Sequence, residues 1–161
     1  MAMTRPCWRP YPQWVSLIEV VPGQVELVVR GAGSQAPSIR LFDWSRTDEF
    51  EVVFAVEAVD DGLRARIGAV TVTAWDGAGY LTEFLDGLAR DFRGWEGERS
   101  WVNNELVVAA TFGSGGHVCL SWTLLADVFS SGWECTVTTV IDAGEELTTV
   151  AADVQEFFRQ G

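Results

Sequence analysis

The feature that most constrains the fold of this chain is a change in the spacing of its apolar residues. In FEVVFAVEAV, residues 50–59, apolar side chains occupy every second position, which is typical of a strand with one buried face. In YLTEFLDGLARDF, residues 80–92, they recur at helical spacing, at Leu81, Phe84, Leu85, Leu88 and Phe92. The chain therefore combines amphipathic strands with at least one amphipathic helix.

The remaining segments extend this pattern into an order of strands and helices. Strand patterns are found at 16–20, 25–31, 38–44, 50–59, 63–75, 105–112, 117–125 and 133–142, several of them joined by hairpin signals such as Asp60-Asp61-Gly62. A second helical stripe covers 143–159, with Asp142 as its candidate N-cap. Strands grouped as hairpins predict an α+β protein. We expect a curved, mainly antiparallel β-sheet or half-barrel of about 7–8 strands, with two α-helices, at about 80–92 and 143–159, packed on one face.

The length and the N-terminal composition predict a single domain with an extension. Residues 1–14 contain Pro6, Pro10 and Pro12 together with Trp8 and Trp14, and we interpret them as a Pro/Trp-rich arm. Residues 15–161 are enough for one α+β domain with its own core.

The charge is strongly negative, with 23 acids, 11 bases and a formal net charge of −12. This charge argues against binding to nucleic-acid phosphates and to anionic membranes. It would steer a basic protein partner toward the chain. A role in solubility alone also explains the negative charge. No apolar run approaches the roughly 18 residues of a membrane span, and no apolar segment follows the N-terminal arginines as in a secretory signal. We therefore expect a cytoplasmic protein.

The residues that usually perform catalysis are sparse. The single histidine, His117, begins a strand after a glycine loop, and no nucleophile elbow or phosphate-binding loop is present. Cys119 and Cys135 lie in apolar strands, where we expect small buried side chains, and three cysteines without a C-x-x-C indicate neither disulfides nor zinc. We predict no catalytic residue, no metal, no cofactor and no enzymatic activity.

Tryptophan is the conspicuous residue type, with eight in the chain. We assign Trp122 and Trp133 to packing because they follow strand alternation. The segment DFRGWEGERSW, residues 91–101, holds charges and tryptophans together, so it is interpreted either as a corner of the fold or as a contact for a partner. The candidate partner-binding residues are Trp75, Asp76, Arg93, Trp95, Glu96, Arg99 and Trp101.

Four motifs carry a resemblance. VTAWDG (72–77), LTEFLDGLARDFRGWEGERSW (81–101), GHVCLSW (116–122) and AGEELTTVAADVQEFF (143–158) together resemble a family of uncharacterised actinobacterial proteins over roughly residues 25–160, and this family supplies no activity. The order of sheet, helix, tryptophan/glycine corner, hairpin and final helix is also similar to immunity proteins against wall-associated toxins. That similarity implies a non-catalytic binding module that neutralises a basic toxin domain. The alternative is a small-ligand-binding protein or carboxylate-dependent enzyme with a pocket between sheet and helices; the oligomeric state stays open.

Overall fold

The structure is a computed structural model that describes residues 16–21, 24–73, 77–127, 129 and 132–159. The predicted arm at 1–14 lies outside the described residues. The elements are β1 Ser16–Val21, β2 Gln24–Arg30, β3 Ser38–Arg46, β4 Glu51–Asp60, β5 Leu63–Thr73, α1 Gly77–Arg90, β6 Glu98–Val102, β7 Leu106–Phe112, β8 His117–Leu125, β9 Glu134–Asp142 and α2 Glu145–Arg159.

The strands form two antiparallel meanders. β1 to β5 pair in chain order as a five-stranded sheet, and β6 to β9 pair in chain order as a four-stranded sheet. The α+β class, the antiparallel pairing and the two helices are thus confirmed, with the strands divided between two sheets. β6 was not predicted, because Trp101 is the only buried side chain of this short, charged strand. The sheets approach each other just after β6, where Asn103 Nδ2 donates a hydrogen bond to the backbone oxygen of Thr71 at 3.0 Å.

The core lies against one face of each sheet, as strand alternation requires. In β8 the buried side chains are Val118, Leu120, Trp122 and Leu124, and the residues between them reach solvent. Trp122 is fully buried, and its indole Nε1 donates a hydrogen bond to Thr139 Oγ1 at 3.1 Å. Thr139 is itself fully buried, so each polar group satisfies the other in the apolar interior.

Each of the two helices contacts both sheets. α1 contacts α2, β5 and β6, and α2 contacts β1, β2 and β9. Phe157 and Phe158 of α2 meet Phe54 of β4 edge to face, with ring centroids 6.0 and 5.5 Å apart. The apolar stripe predicted for α2 is confirmed, whereas placing both helices on one face of the sheet stays a prediction.

The start of α2 differs from the prediction that Asp142 caps it. The helix begins at Glu145, and the carboxylate of Glu146 accepts a hydrogen bond from the Asp142 backbone N–H at 2.7 Å. The Asp142 carboxylate instead faces His117 across the paired strands, 2.9 Å from its Nδ1. The backbone of Asp142 therefore donates to a side chain of the helix, whereas we expected the side chain of Asp142 to accept from the helix.

The outer face of the five-stranded sheet is covered by charge pairs. Arg40 pairs with Glu26 and lies 3.6 Å from Glu57, while Arg66 lies 3.6 Å from Asp43. The guanidinium groups of Arg40 and Arg66 lie 4.0 and 4.7 Å from the ring centroid of Phe42. They leave Phe42 only 5% exposed, although it points away from the core of the sheet.

Candidate functional site

The segment from Asp91 to Trp101 is a corner followed by an edge strand. α1 ends at Arg90, and the backbone N–H of Gly94 donates to the oxygen of Asp91 at 2.8 Å. Gly94 and Gly97 have φ angles of +115° and +74°, which side chains of L-residues rarely adopt. The glycines therefore allow the chain to reverse before β6 begins at Glu98.

Charged and aromatic groups contact one another at this corner. Arg99 Nη1 donates a hydrogen bond to Asp91 Oδ2 at 2.6 Å, and the guanidinium carbon lies 5.0 Å from the Trp95 ring centroid. The Trp95 ring meets Phe112 of β7 at 5.3 Å, with 65° between the ring planes. We call Asp91, Gly94, Trp95, Arg99 and Phe112 the Trp95 corner. It couples the end of α1 to the start of the four-stranded sheet.

The predicted contact residues take different positions. Trp101 is only 7% exposed and belongs to the core, whereas Trp95 and Arg99 are partly buried in the Trp95 corner. Arg93 and Glu96 are exposed beside that corner. Trp75 and Asp76 lie outside the described residues. The structure thus brings Trp95 and Arg99 into contact and leaves Arg93 and Glu96 facing solvent.

Sequence reasoning missed the contribution of Phe92. It was expected to complete the apolar stripe of α1, and this was wrong because the helix ends at Arg90. The ring is 52% exposed, and the Arg93 guanidinium lies 5.6 Å from its centroid. We call Phe92, Arg93 and Glu96 the outer rim of the Trp95 corner. Gly94, two residues after Phe92, is the sequence signal for the end of the helix, and the structure gives it a φ of +115°.

Among the other predictions about the burial of tryptophan and cysteine side chains, one is confirmed and the others are wrong. Trp122 is in the core as predicted, but Trp133 is 45% exposed, so its assignment to packing was wrong. Cys119 and Cys135 are both partly exposed, not fully buried. The Cys119 side chain lies on the outer face of the four-stranded sheet, opposite to the core-facing side chain of Leu120.

The described residues offer little for metal or acid–base chemistry. His117 and Asp142 form their pair at the surface, with 55% and 60% of their side chains exposed. No group of three or more His, Cys, Asp or Glu side chains in the described part of the chain could hold a metal ion. The helices of that part include none long and apolar enough to cross a membrane. The absence of enzymatic activity and the alternative of a ligand pocket both stay predictions.

The backbone geometry of Gly94 in the Trp95 corner leads to a prediction about stability. We expect Gly94→Ala to lower the free energy of unfolding by about 1–3 kcal/mol, because the backbone has a positive φ and the added Cβ would lie 3.0 Å from Phe112. Gly87→Ala is the matched control, since its Cβ meets no atom within 4 Å in the interior of α1 and should stabilise by about 0.5–1 kcal/mol. Denaturant unfolding followed by circular dichroism measures both. Equal effects of the two substitutions would contradict the strain at Gly94.

These features define a class: an α+β protein of two antiparallel meanders joined by two packed helices, with a charged-aromatic corner at the entrance to the second sheet. The chain belongs to DUF6228, a family of unknown function, whose model matches residues 30–161. The resemblance to an uncharacterised family is therefore confirmed, and the match begins at the end of β2. Comparison with curated proteins and with solved structures gave no match.

Proposed function

We propose that this protein is a non-catalytic, cytoplasmic protein-binding module with a basic partner, of the kind represented by immunity proteins that cover a toxin domain. The observation that carries the proposal is the outer rim, where a half-exposed phenylalanine lies beside an arginine next to the Trp95 corner. Aromatic and arginine side chains contribute a large share of the free energy of protein–protein contacts.

The Trp95 corner supports this role because the rim residues adjoin its members in the chain, and we expect this to limit the motion of the rim backbone before binding. Phe92 and Arg93 directly follow Asp91, whose carboxylate is bonded to Arg99. Arg99 in turn lies over the Trp95 ring. Groups held in place before association lose less conformational entropy when they bind.

The distribution of charge supports a basic partner. Many of the arginines are paired with carboxylates inside the chain: Arg40, Arg64, Arg66, Arg90, Arg99 and Arg159. With a formal net charge of −12, the surplus carboxylates remain available to attract positive charge. Such attraction raises association rates and weakens as salt is added.

The experiment begins with affinity capture from the host organism at low salt, followed by binding measurements between purified components. We expect Phe92→Ala to weaken binding by about tenfold or more, because it removes the exposed ring that anchors the contact. Titration calorimetry over a range of salt concentrations measures the dissociation constant, which should rise with salt.

Leu63→Ala is the matched control, because Leu63 is also a large exposed apolar residue, 41% accessible, but lies at the start of β5 and away from the rim in sequence. It should leave the dissociation constant unchanged. If a partner binds Phe92→Ala as tightly as the unmodified protein, the outer rim is not the contact surface. The absence of any partner at low salt would remove the binding function itself.

A further inference from the structure

The outer face of the four-stranded sheet has an unusual composition for a chain so rich in acids. Register and burial place eleven uncharged side chains on it in three rows: Val102, Val107, Thr123 and Thr136; Ser100, Ala109, Ser121 and Thr138; and Thr111, Cys119 and Val140, a row that Glu98 continues on β6. We call this set the neutral face, because every member is uncharged. Acidic side chains border it at Glu98, Glu134 and Asp142. The outer face of the five-stranded sheet, by contrast, carries the arginine–carboxylate pairs described above.

Four of the six hydroxyl groups of the neutral face are paired with each other. Ser121 Oγ and Thr138 Oγ1 are 3.0 Å apart, and Thr123 Oγ1 and Thr136 Oγ1 are 2.8 Å apart across β8 and β9. A polar group that is hydrogen-bonded within the protein costs less free energy to remove from water than an unpaired one. This face can therefore be covered by another apolar or neutral surface at a small desolvation cost.

Two of the three valines of the neutral face lie exposed on opposite edges of the sheet. Val102 is 70% exposed on the edge strand β6, and Val140 is 42% exposed on β9 at the other edge. The middle strands β7 and β8 carry small residues such as Ala109 and Ser121 together with the β-branched side chains of Val107 and Thr123. Sheets with such faces pack directly on each other at a separation of about 10 Å.

We propose that the neutral face binds a second copy of this chain, sheet against sheet. A net charge of −12 makes two copies repel each other over most of their surfaces, so a self-contact requires a face without carboxylates at its centre. The neutral face meets this requirement on both copies at once, as a two-fold contact demands. A basic partner gains nothing from an uncharged surface, which separates this contact from the one at the outer rim.

The size of the face determines the strength of the contact. Four strands spaced about 4.8 Å apart and three rows of side chains cover about 20 Å by 20 Å. This is less than the roughly 800 Å² per partner of a standard interface, so the dimer is weak and depends on concentration. The acidic border also means that added salt strengthens it by screening repulsion, whereas salt weakens the binding of a basic partner.

Sedimentation of the full-length protein over a range of concentrations, at low and high salt, tests the proposal. We expect the average mass to rise from that of a monomer toward that of a dimer, and to do so at lower concentration when salt is high. Thr138→Glu, which places a charge in the middle row, should raise the dimer dissociation constant at least about tenfold. Thr73→Glu, at the exposed end of β5, is the matched control and should dimerise like the unmodified protein.

A second measurement needs no variant, because Cys119 lies within the neutral face and Cys135 lies on the opposite side of the sheet, paired in register with Leu124. Alkylation rates measured peptide by peptide should fall with protein concentration at Cys119 and stay constant at Cys135. A monomer at every concentration, with a constant Cys119 rate, overturns the proposal. So does a dimer that Thr138→Glu leaves intact, or protection of Cys119 that arises only when a different protein is bound.

Discussion

Trp122→Ala is expected to lower the free energy of unfolding by about 3–5 kcal/mol, the largest effect among our predictions. The side chain is fully buried in β8, so its removal leaves a cavity among core residues that cannot reorganise freely. The same substitution leaves the Thr139 hydroxyl without its indole donor. Equilibrium denaturation followed by far-ultraviolet circular dichroism measures the loss without depending on tryptophan fluorescence.

Two further substitutions separate packing from hydrogen bonding at this position. Thr139→Val preserves the volume but leaves the buried Trp122 N–H without an acceptor, for an expected loss of about 1–3 kcal/mol. In the Trp122→Phe background, which has no N–H, Thr139→Val should cost clearly less. If Thr139→Val has the same effect in both backgrounds, the hydrogen bond does not contribute to stability in this way.

Trp95→Ala is the second large expected effect, a loss of about 2–3 kcal/mol, smaller than for Trp122 because Trp95 is only partly buried. The substitution removes the ring that contacts Phe112 and supports the Arg99 guanidinium. Trp133→Ala provides a matched control, because that tryptophan is 45% exposed and should contribute little to stability. Chemical denaturation of the unmodified protein, Trp95→Ala and Trp133→Ala gives the three free energies of unfolding to be compared.

The same variant separates the two interpretations of residues 91–101. A corner that fixes the rim predicts that Trp95→Ala weakens both folding and partner binding, whereas Phe92→Ala weakens binding alone. Trp95→Phe should retain most of the stability, because it keeps an aromatic ring against Phe112 and removes an indole Nε1 that is buried without an acceptor among the described residues. A stable Trp95→Ala protein that fails only in binding would place Trp95 in the contact surface itself.

Much of the fold was predictable because hydrophobic periodicity reports directly on burial. β4 and α2 show it most clearly, and their boundaries were predicted within about two residues. β6 was not found, since a five-residue strand with Glu98 and Arg99 has too few apolar positions to register a period. The division into two sheets depends on which edges pair, and no local pattern determines that.

The candidate site was predictable in composition but not in orientation. The clustering of Trp95, Arg99 and two glycines correctly marked a place where the chain turns, and whether it also binds a partner is left to the variants above. The sequence did not distinguish Trp101, which enters the core, from Phe92, which is half exposed. Phe92 lies two residues beyond the end of α1, and Trp101 lies on a strand, where a shift of one position moves a side chain to the other face. The contacts with Phe112 join residues far apart in the chain and follow only from the fold.

The position of α2 has a consequence for the order of events during synthesis. This helix contains the last described residues of the chain, yet it contacts β1 and β2, which are the first described strands, and it brings Phe157 and Phe158 onto Phe54. The five-stranded sheet can pair its backbone soon after it leaves the ribosome, but the part of its apolar side that α2 covers stays open until that helix has been synthesised. A ribosome stalled just before residue 145 would therefore hold a nascent chain with paired strands and an open hydrophobic surface, which is the state that chaperones recognise.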